Sequence, residues 1–155
     1  MLHDFELAGR RVRAWQRPGE SYEHVLMKAL GYAMYVAEFP ALEIEVEVGL
    51  RYKPDLVARG DAAGGGRFQF WGECGSVTVR KIAWLLKHGD VERLVVFKIN
   101  YSVVALASEL RAAIEERYRA PGRLLLVNFV ADIAARTIHR RIARVPQSWY
   151  TTIVV

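Results

Sequence analysis

The segment Pro54-Asp55-Leu56-Val57-Ala58-Arg59 is followed by a glycine-rich stretch at 60–66 and then by Phe68-Gln69-Phe70-Trp71-Gly72-Glu73. Two apolar runs of strand length thus flank a set of turn residues, which is typical of a β-hairpin. In a hairpin the start of the first strand lies beside the end of the second. We therefore expect the carboxylates of Asp55 and Glu73 to lie a few ångströms apart, at the open end of two antiparallel strands.

The rest of the chain alternates between helix and strand patterns. Residues 20–38 carry apolar side chains at helical spacing, and residues 42–48 alternate between apolar and acidic side chains, which predicts a half-buried strand. Ser76 is a candidate cap for a helix that runs to about His88. Similar patterns predict a hairpin of 5–8 with 11–16, strands at 94–99 and 124–129, a helix at 102–118, a short turn or helix near 132, and a final strand pair, 137–143 with 149–155, that turns at Pro146.

This order of elements predicts the class of fold. Early antiparallel strands followed by strand–helix–strand crossovers imply a mixed β-sheet with helices on both faces. We expect an α/β protein, an αβα sandwich, formed by one domain over residues 1–155. The chain is long enough for one hydrophobic core and too short for two.

Composition excludes several classes of protein. Apolar residues make up 52% of the chain and charged residues 25%, as in ordinary globular proteins. The longest apolar stretch, at 124–131, is far shorter than the roughly 20 residues of a membrane span. The N-terminal residues show neither a basic leader nor an apolar signal core. One cysteine, Cys74, cannot form an internal disulfide framework. We expect a cytoplasmic protein without a membrane partner.

Positive charge is concentrated in the C-terminal third. Residues 1–110 are neutral, whereas residues 111–155 contain eight arginines and three acidic residues, which accounts for the whole net charge of +5. Such a surface could attract a polyanion such as nucleic acid. Arginine-rich helix faces that contact only solvent would explain the same excess of positive charge without any partner.

Two neighbouring carboxylates suggest a site for a hard divalent cation. Asp55, Glu73 and a backbone carbonyl, that of Cys74, can supply part of a Mg²⁺ or Mn²⁺ coordination shell, with water and phosphate oxygens completing it. The cation would activate a water molecule and neutralise phosphate charge. A nearby lysine would orient that water or stabilise transition-state charge. The simpler interpretation is that Asp55 caps a turn and Glu73 pairs with a basic residue on the next helix.

Five short segments follow one another in a characteristic order. They are Glu20-Ser21-Tyr22-Glu23-His24 at a helix start, Pro54-Asp55-Leu56, Trp71-Gly72-Glu73-Cys74-Gly75, Val79-Arg80-Lys81-Ile82 in the next helix, and Arg136-Thr137 before two strands. In their order and spacing these segments resemble the YaeQ family, within the PD-(D/E)xK nuclease superfamily. The likeness covers nearly the whole chain, although the first hairpin is shorter than the family's.

The resemblance implies a restriction-endonuclease-like αβα sandwich and a Mg²⁺-dependent nuclease. It also implies a third acid at Glu23, which helix-dipole complementarity explains equally well. The superfamily's usual lysine, two residues after the second acid, is Gly75 here. Some members carry the positively charged side chain on the following helix instead. Lys81 is the first candidate for this role here, and Arg80 is the second. The YaeQ family shares this glycine, and no settled activity follows from the likeness.

The remaining alternatives belong to two classes. A catalytically degenerate module with the same fold would bind nucleic acid or a protein partner without cleaving anything, and Gly75 favours this alternative. A cysteine hydrolase or amidase would use Cys74 in a strand-to-helix elbow. Two features count against the elbow. Ser76 replaces its last glycine, and the preceding strand is expected to belong to an antiparallel hairpin and not to a parallel strand–helix–strand unit.

Nucleic acid is the expected partner of the nuclease. Arg80, Arg136, Arg140 and Arg141 are candidates for phosphate contacts, together with Arg144, whereas His24 is expected to form only a surface pair with Glu20. The sequence does not distinguish DNA from RNA. A homodimer would suit an enzyme that cuts both strands of a duplex.

Overall fold

The computed structural model describes residues 1–60 and 67–155. The turn of the predicted hairpin, at 61–66, lies outside the described residues. The described elements form two β-sheets with helices packed against them. In chain order they are β1 Leu2–Leu7, β2 Arg10–Trp15, α1 Tyr22–Tyr35, β3 Glu43–Ile44, β4 Leu56–Arg59, β5 Phe68–Cys74, α2 Val79–His88, β6 Leu94–Ile99, α3 Val103–Ala113, α4 Glu116–Arg119, β7 Leu124–Phe129, α5 Ile133–Arg136, β8 Arg141–Ile142 and β9 Tyr150–Val154.

The larger sheet has six strands in the order β3-β4-β5-β6-β7-β9. β4 and β5 form the antiparallel hairpin, while β5, β6 and β7 run parallel and are joined through α2 and α3. β9 closes the far edge antiparallel to β7. The central strands read as continuous apolar runs because both of their faces are covered. The carboxyl ends of β5, β6 and β7 therefore meet at one edge of the sheet.

Two hydrophobic clusters lie on opposite faces of this sheet. One cluster contains the buried side of α1 together with residues from the smaller sheet, β2-β1-β8. The other contains the apolar stripes of α2 and α3. The result is an αβα sandwich with a mixed β-sheet, as the sequence predicted. No helix among the described residues is long and apolar enough to cross a membrane.

Side-chain caps decide where the two helices beside the hairpin begin. Ser21 Oγ accepts a hydrogen bond from the His24 backbone N–H and starts α1. Thr78 Oγ1 accepts one from the Lys81 N–H and starts α2. The prediction that Ser76 caps α2 was therefore wrong by two residues. Gly75, at φ 76°, turns the chain after β5, and the helix starts only after a further extended stretch.

Two other boundaries and one strand pairing differ from the sequence-based expectations. The strand predicted at 42–48 keeps only Glu43–Ile44, because Glu45 adopts φ 55° and turns the chain. The helix predicted at 102–118 breaks at Ile114, whose extended backbone separates α3 from α4. The final two strands do not pair with each other. Instead, β8 pairs in parallel with β1 in the smaller sheet, and β9 pairs with β7.

Candidate active site

Asp55 lies where β4, β5 and α1 meet. Its backbone N–H donates to the Gly72 carbonyl at 3.1 Å, and its Oδ2 accepts a hydrogen bond from the Cys74 N–H at 2.8 Å. Its Oδ1 lies 3.2 Å from His24 Nε2 on α1. Since Leu56 pairs with Gly72, the next position outward brings Asp55 beside Glu73. The expected juxtaposition of these two positions is present at the open end of the hairpin.

Glu73 is a buried carboxylate that is held by two donors. Its side chain lies on the α2 face of β5, two residues after Trp71, whose Nε1 donates to Glu73 Oε1 at 2.8 Å. Lys81 Nζ donates to Glu73 Oε2 at 2.8 Å. The residue is only 3% exposed. Burial raises the pKa of Glu73 above its ordinary value, although the hydrogen bonds from Lys81 and Trp71 favour the carboxylate.

Lys81 reaches the strand end from the first turn of α2. The Thr78 cap fixes the start of this helix, and the lysine side chain extends from there to Glu73. The ammonium also lies 5.1 Å from the centroid of the Tyr52 ring, in cation–π geometry. Lys81 thus brings a positive charge from the helix after β5 to the end of that strand. The catalytic role expected for Lys81 stays a prediction.

The two carboxylates have separate partners on the two faces of the sheet. Asp55 is held by His24 from α1, and Glu73 is held by Lys81 from α2. The negative charge of Asp55 also raises the pKa of Glu73, to a smaller extent than burial does. Each of the two acids at this sheet edge carries its own basic neighbour.

The two carboxylates at this sheet edge offer the oxygen atoms that magnesium prefers. The described residues contain no group of three or more His, Cys, Asp and Glu side chains arranged to hold a metal. Mg²⁺, however, is commonly held by one or two carboxylates and keeps waters and substrate oxygens as its other ligands. Each carboxylate oxygen of Asp55 and Glu73 has a second lone pair beyond its hydrogen bond. The expectation that Asp55, Glu73 and the Cys74 carbonyl hold a magnesium ion stays a prediction.

His24 connects the site to a buried ion-pair network that the sequence did not predict. His24 Nε2 lies 3.6 Å from Glu20 Oε1 in addition to its contact with Asp55. Glu20 in turn accepts from Lys28 Nζ at 2.6 Å, and the same ammonium donates to Glu45 Oε1 at 2.9 Å. The hydrogen bond to Asp55 raises the pKa of His24, against the lowering effect of its burial. His24 therefore contacts Asp55 in addition to the expected partner Glu20.

Glu23 lies beside the acid pair rather than in it. It is exposed in the first turn of α1 and lines a cleft of about 280 Å³ at the carboxyl ends of β5 and β6. His24, Gly75 and Lys98 line the same cleft. This position is compatible with a contact through water at the rim, and the predicted role of Glu23 is untested.

The predicted phosphate-binding arginines occupy different parts of the surface. Arg80 is exposed on α2, next to Lys81. Arg136 pairs with Asp132 at 2.9 Å, and Arg141 lies 3.5 Å from Glu6. Arg140 has φ 56°, and its guanidinium packs over the rings of Phe5 and Tyr22. Arg140 is thus the member of this set that contacts the start of α1, one residue before Glu23.

Cys74 is a buried thiol at the end of β5. It is 2% exposed, and burial raises its pKa well above the ordinary value, with the charges of Asp55 and Glu73 acting in the same direction. A protonated, buried thiol is a poor nucleophile. The expectation that the strand before the elbow has only antiparallel neighbours was wrong, because β5 pairs antiparallel with β4 and also in parallel with β6. Burial, rather than strand direction, is what weighs against a cysteine hydrolase.

Sequence inspection missed Lys28, Lys98 and the second partner of His24. The signal for Lys98 was present, since it is the one charged residue in the apolar run Leu94–Ile99. Lys28 similarly interrupts the apolar face of α1 and is fully buried. A lysine inside an apolar segment usually has a specific partner, so these positions could have been selected from the sequence. The identity of their partners could not have been predicted from the sequence.

Fold and site together define a class: an αβα sandwich with two acids and a lysine at one edge of its mixed sheet. Neither a protein-family model nor a curated protein matches the chain. Among solved structures, the chain is similar to the YaeQ protein from Xanthomonas axonopodis pv. citri, with 16% identity and a TM-score of 0.61 over 99% of this chain and 93% of that one. The chain therefore has a YaeQ-like fold.

Proposed function

We propose that this protein is a Mg²⁺-dependent nuclease that hydrolyses phosphodiester bonds of nucleic acid. The observation that supports this most directly is the Lys81 ammonium, 2.8 Å from Glu73 Oε2, beside the strand end where Asp55 also lies. These are the residue types of a PD-(D/E)xK centre, with the lysine supplied by the following helix. The YaeQ-like fold is consistent with this assignment.

The metal, when bound, lowers the pKa of a water molecule and neutralises charge on the phosphate. Asp55 and Glu73 provide oxygen ligands at adjacent positions, and the Cys74 N–H keeps the Asp55 carboxylate in place. Trp71 fixes the orientation of Glu73 through its indole N–H. These contacts hold the acids before substrate arrives, which reduces the cost of ordering them during catalysis.

Lys81 would donate a hydrogen bond to the attacking water or to a non-bridging phosphate oxygen. The Thr78 cap and the Tyr52 ring position its long side chain, so little rotamer freedom is lost in the transition state. Glu23, exposed at the neighbouring cleft, would bind a metal-associated water at the rim. Arg80, on the same helix as Lys81, would contact the backbone of the substrate.

The test combines metal titration with a cleavage assay. We expect Mn²⁺ or Mg²⁺ binding by the wild-type protein in calorimetry and its loss in Asp55→Asn, which keeps the shape of the side chain and an acceptor for the Cys74 N–H. With single- and double-stranded DNA and RNA as substrates, Lys81→Met should lower the rate about 10²- to 10³-fold.

Lys87→Met is the matched control, because Lys87 is an exposed lysine on the same helix and packs on Tyr118 instead. It should cleave at the wild-type rate. Cleavage that survives in Asp55→Asn, or that does not require a divalent cation, would contradict the assignment.

A second function is favoured by one feature of the site. Gly75 removes the usual lysine, and both acids already have basic neighbours, His24 and Lys81. A module of this kind would bind nucleic acid, or a protein partner, without hydrolysing it. Metal binding by wild type with no cleavage of any of the four substrates would support this function over the nuclease.

A further inference from the structure

Lys98 is a second lysine at the same edge of the sheet. Cys74 pairs with Phe97 in the parallel ladder, so Lys98 on β6 is the neighbour of Gly75, one position past the end of β5. Its Nζ donates to the Gly75 carbonyl at 2.6 Å. The residue that lacks a side chain after β5 thus lies next to an ammonium group from β6.

This ammonium is buried without an acidic partner among the residues that the structure describes. Lys98 is 7% exposed, and within the described part of the chain no carboxylate lies within ion-pair distance of its Nζ. Lys28 shows the contrast: it is also buried, but it bonds to both Glu20 and Glu45. Burial lowers the pKa of Lys98, whereas the two carboxylates leave the pKa of Lys28 raised despite its burial. A buried cation without a counterion is costly, and an anionic ligand would offset that cost.

The surroundings of Lys98 leave room for such a ligand. Its side chain forms part of the wall of the cleft of about 280 Å³, which the hydroxyl-bearing residues Ser21 and Ser76 also line. The ring of Tyr101 covers the ammonium from one side, 4.4 Å from its centroid. Gly75 adds no side chain to the cleft, and its φ of 76° disfavours any other residue at this position.

We infer that this cleft is a phosphate-binding site, in which Lys98 Nζ donates to a phosphate oxygen in front of Gly75. The identification of the phosphate as part of a nucleic acid rests on the proposed nuclease function, because the cleft adjoins Asp55 through their shared neighbour His24. Glu23 at the rim of the same cleft opposes an anionic ligand, and its exposure to water weakens this repulsion. The same chemistry would also accept free inorganic phosphate.

The experiment measures binding without metal, so that it does not depend on cleavage. A fluorescein-labelled single-stranded oligonucleotide is titrated with the full chain in EDTA, and its anisotropy gives the Kd. Lys98→Met should weaken binding about tenfold, as expected for the removal of a hydrogen bond to a charged group. Lys98→Arg, which keeps the charge, should bind more tightly than Lys98→Met. Lys87→Met, which alters an exposed lysine on α2, should stay within about twofold of wild type.

Competition distinguishes the two sources of phosphate. If millimolar inorganic phosphate displaces the oligonucleotide from wild type but has no effect on residual binding by Lys98→Met, the site takes free phosphate as well. If phosphate does not compete, the site requires a phosphodiester in a chain. Wild-type affinity in Lys98→Met would overturn the inference, as would a wild-type protein that binds neither ligand.

Amide chemical shifts in the wild-type protein provide a test that needs no variant. Titration with the oligonucleotide should move the resonances of Gly75, Ser76 and Tyr101, which surround the Lys98 ammonium. Shifts confined to other regions would overturn the site. Asp55→Asn should keep this binding, because Asp55 is not part of the phosphate site. If the wild-type protein binds the oligonucleotide through Lys98 but never cleaves it, the proposed nuclease function fails and the phosphate site stands.

Discussion

At the scale of single residues, the two buried lysines, Lys28 and Lys98, differ in their bonding partners and therefore in their expected roles. Lys28 and Lys98 both interrupt apolar segments. Lys28 bonds to two carboxylates, whereas Lys98 bonds to a backbone carbonyl. The first stabilises the fold by joining α1 to the segment after β3. The second is better explained by a ligand. Burial alone would not have separated these two roles.

The pH dependence of stability should report on the Glu20–Lys28 pair. Burial raises the pKa of Glu20, but the hydrogen bonds from Lys28 and from the Arg17 N–H outweigh it and leave the pKa below its ordinary value. A lowered carboxyl pKa stabilises the folded state at pH values above the unfolded-state pKa of about 4.3. This contribution is lost as pH falls through the lower, folded-state pKa.

We therefore expect Glu20→Gln to lower the free energy of unfolding by about 1–2 kcal/mol at pH 7, with the difference from wild type shrinking below about pH 4. Urea denaturation between about pH 3 and pH 7 measures this. Glu47→Gln is the control, because the Glu47 side chain is 76% exposed, and it should track wild type throughout. A gap that stays constant down to the lowest pH would contradict the assigned pair.

At the scale of elements, the start of α2 determines where Lys81 lies. Ser76 and Thr78 both precede the apolar positions of the helix, so local preference could not choose between them. The structure places the cap at Thr78, which has an extended backbone and follows the turn at Gly75 by three residues. A helix that started at Ser76 would place Lys81 on a different turn relative to Glu73.

Removal of the cap tests this boundary. Thr78→Ala should cost about 1 kcal/mol in the free energy of unfolding, because the Lys81 N–H loses its acceptor. Ser76→Ala should stay within about 0.5 kcal/mol of wild type, since Ser76 is exposed and lies outside the helix. Midpoints of urea denaturation measure both. The reverse order of effects would restore Ser76 as the cap.

Most element types follow from the sequence for a local reason. The apolar runs at Leu94–Ile99 and Leu124–Phe129 are buried on both faces, and this makes them continuous and easy to recognise. The strand predicted at 42–48 is shorter in the structure, because the chain turns at Glu45 and the alternating pattern gives no sign of this turn. The Glu45 carboxylate bonds to Lys28 on α1. The error arises where a long-range partner overrides a local pattern.

At the scale of the whole molecule, the uneven distribution of charge predicts how nucleic acid would bind. Residues 111–155 hold the excess of arginines, and Arg140 and Arg141 lie at the start of β8, an edge strand of the smaller sheet. Arg140 packs on Tyr22 at the start of α1, and Arg140 and Arg141 line a separate cleft together with Arg11 and His139. We expect these basic side chains to attract a polyanion to this part of the surface.

The double variant Arg140→Gln/Arg141→Gln should weaken oligonucleotide binding and reduce the slope of log K against log salt by about 1 for each phosphate that is no longer neutralised. Anisotropy titrations at several salt concentrations give both quantities. Arg111→Gln/Arg117→Gln is the charge-matched control, because both residues are exposed on α3 and α4 over the opposite face of the sheet. An equal reduction in both double variants would indicate general electrostatic attraction without a preferred surface.

Local patterns were sufficient to predict the αβα class, the hairpin and the adjacency of Asp55 and Glu73, because strand periodicity and turn residues act over a few positions. The resemblance of the motifs also marked Lys81 as the replacement for the lysine absent at Gly75. Two features emerged only from the folded chain. His24 and Lys81 hold the two acids from opposite faces, and Lys98 lines a cleft with no counterion in the described part of the chain. These contacts join segments far apart in sequence, and their geometry depends on how the helices pack across the sheet.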